Sequence, residues 1–133
     1  GRNEASSAYA EATLSAKIVI VTGRDNWEDH YRLMEALSAG AMVLSDVMLS
    51  LPKGLQNGTS LVFFRDLQEL PRHIEYYLEH DEERQDIAKR GWEVSMGYHR
   101  AHHRMEELIF GCPLTQVNVP YEEMCPEATN AER

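Results

Sequence analysis

The chain has 133 residues, with 13 Lys and Arg against 22 Asp and Glu and a formal charge of -9. That length fits one domain, with room for a core but little for a complete two-lobed enzyme. The acidic balance argues against a general nucleic-acid binder, which needs a basic face, and Arg100 and Arg104 do not reverse it.

Residues 1–16 are small and polar and read as a frayed lead-in or a short helix. Lys17 to Thr22 is the clearest strand: Ile18 to Val21 is continuously apolar and β-branched, the pattern of a strand covered on both faces. Gly23 to Asp29 is a polar loop carrying Arg24, Asp25, Asn26, Trp27 and Glu28. A helix from about Asp29 to Ala39 follows, with Leu33, Met34, Ala36 and Leu37 at helical spacing. Gly40 can stop it in the left-handed conformation, and Ala41 to Ser45 is a second buried strand.

Asp46 to Ser60 contains Pro52, Gly54, Asn57 and Gly58 and reads as a long irregular connection. Asn57-Gly58-Thr59 fits the glycosylation pattern, but Asn-Gly is first of all a turn. Leu61 to Phe64 is a third strand. Asp66 and Glu69 form a capping-box pattern, with Pro71 expected in the first turn of the helix that follows. Ile74, Tyr77 and Leu78 give that helix its inner face. Asp81 starts another helix, with Ile87, Ala88, Trp92 and Val94 as candidate buried positions and Glu82, Glu83, Arg84 and Asp86 as a solvent face. Gly97 is expected to interrupt it, and Tyr98 to Ile109 to continue as a terminal helix. From Gly111 the composition shifts to Pro and Glu without periodicity, as in an extended or disordered tail. The expected division is a lead-in over 1–16, a domain over 17–110 and a tail over 111–133.

No apolar run approaches the roughly 20 residues of a membrane span. No signal peptide is visible, so the compartment is unknown and cytoplasmic by default. The chain begins with Gly1 rather than Met, as a fragment or a trimmed chain would. Cys112 and Cys125 set no metal framework, and two unpaired thiols are the simpler reading than a disulfide. His99 and His103 are four apart, a zinc-capable spacing on a helix. With no third ligand in sight, a solvated basic face is the better reading and no metal is expected.

Three apolar strands with long connections imply an α/β fold, a parallel three-strand core with flanking helices. Ligands in such sheets sit beyond the carboxyl ends of the strands. That edge gathers Asn26, Trp27, Arg32, Glu35 and Asp46. Arg32 and Glu35 are three apart on one helix face, as a surface ion pair or as a pair of ligand contacts.

The run Tyr31-Arg32-Leu33-Met34-Glu35-Ala36-Leu37-Ser38-Ala39-Gly40-Ala41-Met42-Val43-Leu44 resembles the donor-side segment of GT-B glycosyltransferases, most closely the group-1, CgeB-like set. Leu61 to Asp66, Tyr76-Tyr77-Leu78, Asp81 to Arg84, Ile87 to Gly91 and His103 to Leu108 resemble that family's later segments in the same order. The resemblance implies a partial Rossmann-like C-terminal lobe that holds a nucleotide-sugar. The N-terminal lobe, the acceptor and any general base would lie outside this chain, and the chain alone would not turn over.

Many of these enzymes carry two glutamates separated by seven residues, the later one on the nucleotide ribose. Glu35 matches the later one. Eight positions earlier stands Trp27, with Glu28 one place off register, and Asp25 to Asp29 replaces the glycine-rich loop. The resemblance thus implies donor contacts from Glu35, Arg32, Asn26, Trp27 and Gly40, with catalytic residues unknown. The substrate would be an NDP-sugar donating a hexosyl group, and no cofactor is implied. A carboxylate suits a ribose because it accepts from two adjacent hydroxyls. Arg32 could offset charge on a leaving diphosphate or pair with Glu35 or Asp46. Trp27 could stack on a base or sugar, or plug the domain surface. A non-catalytic α/β binding module derived from the fold is the alternative reading, and a structural fragment docking by its sheet edge is a third.

Overall fold

A computed structural model describes residues 7–23 and 31–111. Asn26, Trp27, Glu28 and Asp29, both cysteines and the tail beyond Gly111 lie outside the described residues. The elements are α1 (Ser7–Ser15), β1 (Ile18–Val21), α2 (Tyr31–Ser38), β2 (Met42–Asp46), β3 (Val62–Phe64), α3 (Glu69–Glu79), α4 (Asp81–Tyr98) and α5 (Ala101–Phe110). The chain divides into two compact units, 1–95 and 96–133, within α4.

The three strands of the first unit form one parallel sheet in the order β1-β2-β3, with Ile18 opposite Met42 and Leu44 opposite Val62. Side chains alternate between its faces, so each face has its own core. On one, Val21 and Val43 pack with Leu33, Ala36 and Leu37 of α2 and with Leu55 and Leu61 of the long connection. On the other, Met42, Leu44, Val62 and Phe64 meet Tyr77 of α3 and Ile87 and Ala88 of α4. The expected α/β architecture is therefore present. β2, the central strand, is buried from Met42 to Ser45. β1 is not covered on both faces as its sequence suggested. It is an edge strand, and Ile20 is 46% exposed.

Glycine conformation sets the turn into the central strand. Gly40 ends α2 at φ 78°, with its amide on the carbonyl of Leu37, and the chain enters β2 two residues later. Before α3, Asp66 Oδ1 accepts from the amides of Gln68 and Glu69 at 2.7 and 2.9 Å. Glu69 returns a carboxylate oxygen to the Arg65 amide rather than to Asp66, so the predicted box is displaced by one residue. Pro71 sits in the first turn, where its missing donor costs nothing.

α4 is where sequence reading and fold differ most. Arg84 is not on a solvent face. It is buried, with its guanidinium on Asp81 (Nε to Oδ1 3.2 Å) and on the carbonyl of Lys17 (3.4 Å). This contact holds the Asp81 carboxyl below its ordinary range, with Gln85 and Lys17 adding to the effect. Gly91, one face-repeat later, lies against Leu37 and the carbonyl of Ser60. Lys17 precedes β1 and Ser60 precedes β3, so α4 runs along the amino edge of the sheet. Seven residues of helix span about 10 Å, close to two strand spacings. Trp92, expected inside, is 43% exposed, because the buried stripe of α4 is built of Arg84, Ala88, Gly91 and Ser95. Leu78, placed on the inner face of α3, is 50% exposed for a similar reason: Tyr77 alone is buried on that helix.

Gly97 does not interrupt α4, which continues to Tyr98. In the second unit the break falls before Ala101. His103 is buried, and its Nδ1 accepts the amide of Arg100 at 3.2 Å, which caps α5. His99 precedes α5 and bonds Arg104, so the two histidines do not share a helix face. The solvated basic face expected of them is thus half wrong. Among the described residues, no group of His, Cys, Asp or Glu is arranged to hold a metal. No described helix is long and apolar enough to cross a membrane.

Candidate functional site

The carboxyl edge of the sheet is tied together by a single acidic side chain. Asp46, the last residue of β2, accepts the amide of Gly23 on its Oδ2 at 2.9 Å. Gly23 is the second residue after β1. The bond fixes the point at which the chain leaves β1 for the polar loop over 24–30. Asp46 thus fixes the backbone of this edge. Asn26 and Trp27, the loop residues expected here, lie outside the described residues.

α2 rises from that loop. Its inner face is formed by Leu33, Ala36 and Leu37, all at most 1% exposed. This burial orients the opposite face, and Arg32 and Glu35 stand exposed on it. The two do not form the ion pair that their spacing allows. The Arg32 guanidinium lies over the Tyr31 ring, 5.7 Å from its centroid. Glu35 is engaged instead by Tyr9 of α1, whose Oη donates to Oε2 at 2.9 Å across 26 residues of chain.

Tyr9 is the residue that sequence reading missed. It is the only aromatic among residues 1–16, which was the available signal. Of the two readings of residues 1–16, a frayed lead-in or a short helix, the helix is present: Ser7–Ser15 forms nine residues of helix that pack on α2. The Tyr9 hydroxyl is pushed up from its ordinary pKa, first by its hydrogen bond to Glu35, then by burial and by the carboxylate charge, while Arg32 opposes the shift. At neutral pH it therefore stays a donor.

Between α1 and α2 runs a groove of about 330 Å³ lined by Tyr9, Ala10, Thr13, Leu14, Glu35, Ser38 and Ala39. Small side chains and Leu14 make up most of its lining, and among the described residues Glu35 is its one carboxylate. Such a groove offers apolar surface with one strong acceptor. Gly40 is at the far end of α2, beside β2's start, and lines a separate hollow with Arg84, Gln85, Ala88, Lys89 and Trp92. The structure therefore brings Arg32, Glu35 and Tyr9 together and leaves Gly40 at the opposite edge of the sheet.

No curated protein matches the chain. A family model described as glycosyl transferase-like matches residues 2–109, a span that takes in α1 as well as the sheet and its helices. A three-strand parallel sheet flanked by helices is what a partial Rossmann-like glycosyltransferase lobe requires, and the chain belongs to the glycosyl transferase-like family.

Proposed function

We propose that this chain is the donor-binding part of a GT-B glycosyltransferase of the group-1, CgeB-like kind, with residues 17–110 and the α1 helix that packs on them as its domain and 111–133 as a tail. The donor is an NDP-sugar and the transferred group a hexosyl unit. The observation that carries this reading is Glu35: an exposed carboxylate on a helix whose inner face is locked in the core, already oriented by a neutral donor. A carboxylate in this position accepts from the adjacent hydroxyls of a ribose.

Arg32 lies three residues nearer the carboxyl edge of the sheet, about 4.5 Å along the helix axis. A diphosphate attached to a ribose on Glu35 reaches that side chain, where the guanidinium offsets charge as the nucleotide leaves. Asn26 and Trp27 border the same edge in sequence and complete the donor contacts. Gly40 serves the site by ending α2. The acceptor and a separate N-terminal lobe supply the rest of the reaction.

The alternative is a non-catalytic binding module of the same ancestry, favoured by Trp27 at the place of the partner glutamate. Calorimetric titration with UDP, GDP and UDP-glucose tests the donor reading. Glu35→Ala should weaken nucleotide binding by about tenfold, the worth of one charged hydrogen bond. Unchanged affinity would remove Glu35 from the site.

A further inference from the structure

We infer that Tyr9 is a positioning residue, which makes the Glu35 carboxylate selective for a ribose over a deoxyribose; the inference rests on the donor-site reading above. A glutamate on an exposed helix face has several rotors, and a ligand that needs one of them must order it. Tyr9 Oη has already fixed Oε2 at 2.9 Å, so that ordering precedes binding. Tyr9 stands on a different helix from Glu35, and α1 and α2 pack together, so the contact is held by tertiary structure rather than by local chain geometry.

The bond also divides the carboxylate's acceptor capacity. A carboxylate has two oxygens and about four lone-pair sites. Tyr9 takes one on Oε2 and leaves Oε1 and the second Oε2 site for hydroxyl donors. The Tyr9 hydroxyl is a donor toward Glu35, and the remaining acceptor sites of this exposed carboxylate are held in one orientation, open to a ligand's hydroxyls in place of water. A ribose brings two adjacent donors to these sites. A 2′-deoxyribose brings one donor fewer and so forgoes one hydrogen bond to the charged carboxylate. Without Tyr9 the carboxylate must be ordered by the ligand itself, and the advantage of the second hydroxyl falls.

The groove supports this placement. Tyr9 and Glu35 share its wall, and Ala10, Thr13 and Ala39 leave open volume beside them. A sugar ring at the carboxylate is therefore not excluded by neighbouring bulk.

Titration of the full chain with UDP and 2′-deoxy-UDP, and with the GDP pair, tests the inference. The unmodified chain should prefer the ribonucleotide by about tenfold. Tyr9→Phe keeps the ring and removes the donor; its preference should fall to about threefold or less, mainly through weaker ribonucleotide binding. Tyr9→Phe combined with Glu35→Ala should discriminate no better and no worse than Glu35→Ala alone. Far-ultraviolet circular dichroism and a thermal melt establish that each variant folds. If Tyr9→Phe keeps the full preference while Glu35→Ala loses it, Tyr9 does not position the carboxylate, and the donor reading stands. Equal weakening of both nucleotides by Tyr9→Phe would assign the tyrosine a structural role only and overturn the inference. If Glu35→Ala changes neither affinity, or if no nucleotide binds, the donor reading itself fails and takes the inference with it.

Discussion

The carboxylate of Asp46 reaches across from the end of β2 to the amide of Gly23, 2.9 Å away, just beyond the end of β1. Two parallel strands are thereby joined at the edge where the loop to α2 departs. Asp46→Ala should lower folding stability by about 1–2 kcal/mol, because a part-buried amide loses a charged acceptor. Asp46→Asn, which keeps a side-chain oxygen, should recover much of that loss. Urea denaturation of the three proteins measures the difference, and hydrogen exchange at Gly23 should rise in the alanine variant.

Gly91 marks a close approach of α4 to Ser60 and Leu37. A Cβ built there would sit 2.5 Å from the Ser60 carbonyl oxygen and 2.7 Å from Leu37 Cδ2. Alanine is the better helix former by about 1 kcal/mol, yet overpacking against a backbone carbonyl costs about 1–3 kcal/mol and should prevail. Gly91→Ala should therefore melt below the parent protein. A higher melting temperature would mean that α4 can move off Ser60 at little cost.

Gly40 presents the opposite case. No atom lies within 4 Å of an added Cβ, but φ is +78°. Gly40→Ala should thus lose about 1–2 kcal/mol through backbone conformation alone. Since Gly40 serves the proposed site only by ending α2, nucleotide affinity in the variant should fall no further than its lost stability dictates. A calorimetric titration beside a denaturation curve separates the two effects.

The Asp81 carboxyl is held below its ordinary pKa by Arg84. A depressed carboxylate contributes stability that is present above the ordinary carboxylate range and lost as pH falls through the lowered value. Stability should therefore decline on acidification below about pH 4, in part through this group. Asp81→Asn should flatten that portion of the profile while leaving the neutral-to-basic limb unchanged. Thermal melts taken from pH 6 down to pH 2.5 would show it, and an unchanged acid limb would exclude Asp81 as a contributor.

Much of this fold was legible because its signals are local. The β-branched run at Ile18 to Val21 and the apolar run at Met42 to Leu44 are strands, and Gly40 adopts the positive φ expected of a helix stop. The errors arise where distant chain decides the outcome. Arg84 looks solvated in a run of charges, but the carbonyl of Lys17, 67 residues away, draws it inside. Trp92 looks like core, but Ser60 approaches so closely that Gly91 is the residue facing it. Glu35 was a candidate through the family resemblance, because its helix position alone fits a surface ion pair equally well. Its partner was not, because nothing in the polar run around Tyr9 indicates which helix face that ring will meet.

The eight residues of α2 have two duties, with Leu33, Ala36 and Leu37 in the core and Arg32 and Glu35 outside. Ligand occupancy and folding are then thermodynamically linked. Any nucleotide that binds Glu35 only in the helical state stabilises the whole first unit by RT ln(1 + [L]/Kd), about 2.7 kcal/mol at a hundredfold excess over Kd. On the proposed donor reading, donor concentration would also set how much of the protein is folded, and a melting-temperature shift would gauge which nucleotide binds there.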